Sequence, residues 1–576
     1  MQTFFEGPFD NGLFRDKKWE NKSAMIIVPH QDDEINLAGA TIRNLIKNGI
    51  RTYVVFCLTC DRLEPVETRA AEGIRSCQCL GVTDGDILFL GYSDGISADS
   101  AIPFYNAKED MPVTSFSDKT ETFGIKDRPE WCWSREKKHH SFTRGNFRDD
   151  IKDILLTLRP DIVFAVDFDR HPDHRAVSLL FEEAVGSILK NPDNSYFPEI
   201  YKGFAYAGSY LGARDFYAAL NLQGERKADE GVINDPAFDT DLPPYDWNQR
   251  VRLPLPRETL SRTLQGNFLY KAVRAHFSQG MLHNAKRIFN SDQVFWRRRT
   301  DAASYRAAVT VSSGNGSFLT DFKLADSPDI TALPARFGAG TWVPDRDDGK
   351  KEAVIEFAGP VTVRRVTLHG NAEVGSRVLK GRIRLGNGTE QYFGPLPKGA
   401  KALHIDFEEP QTVSRMAVQL LETEGPAPGL TELQVYEKQL PETQLQILKL
   451  MVSDTFAYDY LIRDRNELSL QLYCYDAQGA RVFENSIPEG YTLTCVEPEN
   501  YEMEGLLLRP GQNFRQAVLR IASDADPSVY DQIVIRRLSL PQYLCLKAVQ
   551  GADTAMNRVE HVVKNKYYTW FIKKER

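Results

Sequence analysis

Two short segments about 140 residues apart hold the side chains best suited to chemistry: Pro29-His30-Gln31-Asp32-Asp33-Glu34 and His171-Pro172-Asp173-His174. Imidazoles and carboxylates together offer borderline and hard donors to a divalent cation, with a carboxylate to spare as acid or base. That is the equipment of metal-dependent hydrolysis. Taken singly, each segment has a structural explanation. His-x-x-His often starts a surface helix, and an acidic cluster suits a helix N-terminus. Their joint setting favours the metal. Each follows a run of strand formers, Ala24-Met25-Ile26-Ile27-Val28 and Ile162-Val163-Phe164-Ala165-Val166. In a parallel α/β sheet both would lie at the carboxyl ends of strands, where ligand crevices form.

The elements that must position them are legible from periodicity. Ile35, Ala38, Ile42, Leu45 and Ile46 recur at helical spacing and stop at Gly49. A strand from Thr52 to Cys57, a helix from about Val66 to Leu80 and a strand from Asp86 to Leu90 follow. A helix near Phe147 to Leu158 precedes the strand at 162–166, and another runs from His174 to about Leu189. Repeated βα units imply a Rossmann-like parallel sheet with helices on both faces. The pattern lapses between Ser93 and Gly145, a stretch that includes Trp131, Trp133, His139 and His140 and would shape or cover a pocket. One further helix is expected from Leu260 to Ala285.

At 576 residues the chain exceeds what one core supports. Its 26% charged and 42% hydrophobic residues are ordinary for a globular protein, and a net charge of -8 argues against nucleic acid as partner. The first 25 residues contain no apolar stretch of signal-peptide type, and no run has transmembrane length, so the chain reads as cytoplasmic. Cys57-x-x-Cys60 and Cys77-x-Cys79 imitate a zinc pattern, but they fall on a strand end and an amphipathic helix, and read as reduced core cysteines.

Beyond about residue 316, alternating runs such as Ala353 to Phe357, Val363 to Leu368 and Leu403 to Phe407 are punctuated by Gly, Pro and Asn turns. That is the pattern of a β-sandwich. It restarts near Pro441, giving three domains: an α/β catalytic domain at 1–315, a β-sandwich at 316–438 and a second all-β unit at 439–576. The last ends in a basic and aromatic tail, Val562 to Arg576. The tail either contacts an anionic membrane surface peripherally or docks on its own β-domain.

The paired motifs resemble the PIG-L/LmbE-like family of metal-dependent N-acetylglucosaminyl deacetylases, whose strand ends read (A/P)-H-P-D-D-E and H-P-D-H. The one departure is Gln31 in place of proline, at a position that offers no required group. Arg69-Ala70-Ala71-Glu72, Leu90 to Gly95, and Lys271 through Gln279 resemble three further family segments. The resemblance spans roughly residues 20 to 310. It implies that His30, Asp33 and His174 bind Zn²⁺ or another divalent metal. Asp32 would be general base and then acid. His171 would stabilise the oxyanion as an imidazolium oriented by Asp169 or Asp173. Arg69 and Asp94 would hold sugar hydroxyls or a phosphate-linked neighbour. The implied substrate is an N-acetylated amino sugar, carried on a lipid, nucleotide or glycan. Glu34 is expected at the helix N-terminus or behind the ligands, His276 as a packed helix histidine, and His139-His140 as a solvated pair.

Two other readings compete. Gly91-Tyr92-Ser93-Asp94-Gly95 fits the G-x-S-x-G nucleophile elbow, yet Ile96 to Pro103 lacks the helix that a serine esterase using Ser93 needs. The other is an inert, glycan-binding multidomain protein. Residues 316–438 resemble discoidin-type, galactose-binding-like sandwiches through Trp342 to Asp345, Ile383 to Gly388 and Gly429 to Tyr436. Such domains often bind sugars. Trp342 is a candidate stacking platform, with a core or interface role the commoner alternative.

Overall fold

The computed structural model describes residues 21–576 apart from 62–64, 96–108, 126, 170, 206–250, 254–265, 280–292, 325, 327–339, 374, 439–444, 453–458, 464–465, 477–480, 496–499, 528–529, 568 and 571–576. Near-continuous apolar runs become strands covered on both faces, as parallel sheets require. In β1 (Ser23–Val28) every residue from Ala24 to Val28 is buried, and β4 (Ile162–Val166) is buried throughout. With β2 (Arg51–Leu58), β3 (Ile87–Tyr92) and β5 (Glu199–Gly203) they pair in parallel in the order β3-β2-β1-β4-β5. Two antiparallel strands, β6 (Val251–Leu253) and β7 (Gln293–Arg298), complete a seven-stranded sheet in the order β5-β7-β6.

The crossover helices are α1 (Asp33–Lys47), α2 (Val66–Leu80), α4 (Arg144–Leu158) and α5 (Pro172–Leu189), with the short α3 (Trp131–Glu136) ahead of α4. Strand order reverses between β1 and β4, which makes their carboxyl ends the switch point where a crevice opens. Both motif segments begin there. The expected helix from Leu260 to Ala285 is not continuous. Within its described part the chain forms α6 (Phe268–Val273) and then a 3₁₀ turn at Phe277–Gln279. The His276 amide donates to Val273 O at 3.0 Å, tightening the chain as the ring turns inward.

The second unit is antiparallel. Strands β8 (Ala308–Val311), β9 (Glu352–Gly370), β10 (Arg377–Leu385), β11 (Glu390–Phe393), β12 (Ala402–Glu424) and β13 (Leu430–Tyr436) surround a core that includes Ile355, Leu368, Ile383 and Val418. Because β8 pairs with β9, this sheet draws in residues ahead of the expected boundary at 315. Trp342 is fully buried in that core and its Nε1 donates to Ser313 O at 2.9 Å, so it is no platform for a sugar. A third unit packs a five-stranded and a four-stranded sheet around Leu472, Leu519 and Ile533.

The C-terminal segment is a long helix, α7 (Leu540–Tyr567), where an all-β unit with a tail was expected. Ser539 and Gln542 form a capping box: the Ser539 amide donates to Gln542 Oε1 at 2.9 Å, and Pro541 sits in the first turn. The helix reaches the first unit. Tyr270 Oη donates to Asn557 Oδ1 at 2.9 Å, and Arg274 Nε to Glu560 Oε1 at 2.7 Å.

Candidate active site

The loop after β1 folds back on itself, with the Asp32 and Asp33 amides both donating to His30 O. This turn forces Asp32 to φ 152°, a conformation L residues rarely adopt, and such strain collects at functional sites. Gln31 does what proline cannot. Its buried side chain donates from Nε2 to Leu58 O at 2.7 Å, tying the loop to the end of β2. Gly73 on α2 makes room for it, since a Cβ there would lie 3.0 Å from Gln31 Cβ and Cγ.

After β4, His171 caps α5 and Pro172 occupies the first turn, where its missing N–H and fixed φ are at home. The two loops bring His30, Asp33 and His174 together. Asp33 Oδ2 lies 3.2 Å from His30 Nδ1 and 3.2 Å from His174 Nε2, while Asp33 Oδ1 is buried without a hydrogen-bond partner. His30, His171 and His174 also present ring nitrogens within 4.8 Å of one another. An orphaned carboxylate oxygen beside clustered imidazoles is the donor set a divalent cation needs, and Asp173 Oδ1 is orphaned nearby as well. The residues present therefore fit a metal.

Supporting carboxylates are assigned by geometry. Asp169 Oδ2 faces His174 Nδ1 at 2.9 Å, and Asp169 Oδ1 accepts the His171 amide at 2.9 Å. Asp173 Oδ2 faces His30 Nε2 at 3.2 Å and accepts the Gly95 amide. The expectation that Asp169 or Asp173 holds His171 as an imidazolium is corrected here. Asp169 orients the His174 ring and Asp173 the His30 ring, whereas His171 Nδ1 accepts the Asp173 amide at 3.2 Å. An imidazolium has no lone pair to accept with, so His171 is neutral. Burial, with His174 and His30 nearby, pulls its pKa down to about 3.

Electrostatics follow from the excess of carboxylates. Burial opposes charge on His30 and His174, but the facing carboxylates overcome it. His30 rises well above the ordinary histidine value and His174 is pushed up to about 10. Burial likewise opposes charge on Asp33, yet His174 and His30 hold it well below the usual carboxylate range. A bound cation would take over the balancing role that these protons play. Asp32 is raised by burial against the pull of the Arg69 guanidinium.

Arg69 points at Asp32, with Nη2 3.5 Å from Asp32 Oδ1 and 3.3 Å from Cys60 Sγ. Asp94 Oδ1 accepts the Cys60 amide at 2.9 Å, and burial raises the Asp94 carboxyl to about 7. Both line the same edge. Gly91 (φ 84°) lets β3 pass so close to Phe123 that a Cβ would lie 2.7 Å from its carbonyl oxygen. Ser93 is buried and its hydroxyl donates to Asp61 Oδ2 at 2.8 Å, an engagement unlike that of an exposed nucleophile. Residues 96–103, on which the elbow reading turned, lie outside the described residues.

Sequence reasoning missed one feature. His276 Nε2 lies 2.7 Å from Glu34 Oε1, both side chains fully buried, directly behind the Asp32-Asp33 turn. An acid and a histidine 242 positions apart give no local signal. His139 and His140 also depart from expectation, since they engage the buried carboxylates of Glu130 and Asp150. All eight cysteines are free, and the Cys57, Cys60, Cys77 and Cys79 set forms no common ligand cluster among the described residues.

Residues 25–185 match the family described as PIG-L: GlcNAc-PI de-N-acetylase. The first unit carries a PIG-L domain. No curated protein matches the chain. Among solved structures, the chain is similar to the N,N'-diacetylchitobiose deacetylase from Pyrococcus horikoshii, at 18% identity over 52% of this chain and 94% of that one (TM-score 0.25). It is also similar to the conserved protein TT1542 from Thermus thermophilus, at 22% identity over 32% and 66% (TM-score 0.21). A family 32 carbohydrate-binding module of Clostridium perfringens NanJ, solved with galactose, matches at 13% identity over 24% and 97% (TM-score 0.19). The histidine cluster of His30, His171 and His174 lies within the matched residues.

Proposed function

We propose that the PIG-L domain is a metal-dependent amidohydrolase that removes the N-acetyl group from an amino sugar. The observation that carries this is the convergence of His30, Asp33 and His174 at the sheet's switch point, with a buried, unpartnered Asp33 oxygen and Asp32 alongside. His30, Asp33 and His174 would hold Zn²⁺ or another divalent cation. Once bound, it would supply Lewis acidity to the acetyl carbonyl and to the attacking water. The protein's own groups do the rest. Asp32 takes a proton from the water as its oxygen bonds to the carbonyl carbon, and returns it to nitrogen as the C–N bond breaks. Acetate and the free amine leave. His171, neutral and beside the cluster, is placed to donate from Nε2 to the developing oxyanion. Asp169 and Asp173 fix the rings of His174 and His30.

The sugar would be lipid-linked, nucleotide-linked or part of a glycan, with the sandwich of residues 316–438 as an auxiliary glycan contact. A cytoplasmic, reducing location is proposed on the eight unpaired cysteines. The test is acetate release from N-acetylated amino sugars and glycolipids by metal-free and Zn²⁺-reconstituted protein, with His174→Ala beside it. Metal-dependent release lost in the variant is expected. A tightly bound metal without release from any member of the panel would move the reading to another amide, and no bound metal would favour the inert glycan-binding alternative.

A further inference from the structure

The helix α7 is inside out. Its two acids and Asn557 face the protein: Asp553 and Asn557 are buried, and Glu560 is held by Arg274 and Lys564. Its apolar residues face away. Leu544, Val549, Met556, Val559, Val562, Val563 and Tyr567 are all about half exposed or more, with Val559 at 63%. Their spacing gathers them on one side of a helix 28 residues long, roughly 42 Å at 1.5 Å per residue. Isolated exposed apolar residues are ordinary, but a contiguous stripe of this length marks an interaction face.

Charge selects the partner. Among the described residues of α7, the exposed charges are Lys547, Arg558 and Lys566, all basic, while both acids are turned toward the protein. A second copy pairing through this face would set cations against cations with no exposed acid to meet them. An anionic phospholipid surface meets both features at once, taking the apolar stripe at the acyl boundary and the cations among headgroups. Trp570, exposed just past the helix, belongs at such an interface. No helix among the described residues is long and apolar enough to cross a membrane, so the geometry is that of a helix lying on one.

We propose that α7 is an interfacial helix that docks the protein on an anionic membrane surface through its outward apolar face. The inner face grips Tyr270 and Arg274, and Arg274 lies two residues from His276, whose ring meets Glu34 behind the site. Docking would hold the catalytic unit at the lipid surface, where a glycolipid amino sugar would be presented. That last step rests on the deacetylase reading; the docking itself does not.

The test is co-sedimentation of the full chain with vesicles of phosphatidylcholine alone and of phosphatidylcholine with phosphatidylglycerol. Val559→Glu/Val563→Glu and Lys547→Glu/Arg558→Glu are run beside it. The wild type should partition onto the anionic vesicles and be released by salt. Each double variant should bind at least about tenfold more weakly. Should a variant lose its thermal transition, quenching of Trp570 by brominated lipid, measured against Trp570→Phe, decides in its place. No partition of the wild type overturns the proposal, as does equal partition of the wild type and the valine variant. A wild-type dimer that the valine variant converts to monomer, without vesicle binding, overturns it in favour of self-association. Binding is read without turnover, so failure here and failure of the deacetylase reading are separate results.

Discussion

Asp169→Asn probes the support of the proposed metal site without changing its shape. Asp169 accepts the His171 amide at Oδ1, 2.9 Å away, and the Ala205 amide at Oδ2, 3.2 Å away, with His174 Nδ1 2.9 Å from Oδ2. An asparagine has one oxygen for those two sides. Kept toward His174 and Ala205, its NH₂ opposes the His171 N–H, and a buried donor is left unpaired at a cost of about 1–3 kcal/mol. Removing the carboxylate behind a ligating histidine lowers metal affinity about 10- to 100-fold, roughly 1.4–2.7 kcal/mol. Urea denaturation of the metal-free protein reads the first quantity, and competition with a chromophoric chelator reads the second. Wild-type zinc affinity in Asp169→Asn would refute the assignment of Asp169 as the carboxylate that orients His174. A lost fold with unchanged affinity per folded molecule would refute it too.

Other expectations follow from contacts away from the proposed metal site. Gly73→Ala would press its Cβ on Gln31 and Phe56, so the urea midpoint should fall by the equivalent of about 1–3 kcal/mol; an unchanged midpoint contradicts the close packing. His276→Leu strands Glu34 as a buried, unpaired acid at a cost of about 3–5 kcal/mol, and adding Glu34→Leu should recover most of it. Additive losses in that double-mutant cycle would show that the two groups are not coupled. His369 is buried in the sandwich with Nδ1 donating to Ala400 O at 2.8 Å, and burial draws its pKa down to about 4. Between about pH 6.5 and 4 the unfolded chain binds a proton there that the folded chain does not. Stability should therefore fall as pH falls through that window, by at most about 3 kcal/mol. The pH slope of the thermal midpoint should flatten in His369→Gln, and an unaltered slope would contradict the assignment.

The α/β unit was legible because its strands are uniformly apolar and its helices periodic, which put both motifs at the carboxyl ends of strands; the strand order that makes β1 and β4 the switch point was not in the sequence pattern. His30, Asp33 and His174 were singled out by the resemblance of their motifs to the deacetylase family, and both motifs follow strands. What escaped was pairing across distance. The partners of Asp169 and Asp173 depend on how the turn before α5 aims each ring, and the Glu34–His276 pair joins α1 to a turn far along the chain. The inverted polarity of α7 was hidden for a related reason. Periodicity reveals that a helix has an apolar face, but not which face the rest of the protein covers.

Asp32→Asn, assayed for bound metal and acetate release in one preparation, tests the proposed chemistry most directly. With the proposed ligands His30, Asp33 and His174 untouched, the variant should retain wild-type zinc content while hydrolysis falls about 10²- to 10⁴-fold, the usual contribution of a general base. Full activity in Asp32→Asn, or loss of the metal along with the activity, would contradict the division of labour between Asp32 and its neighbour Asp33.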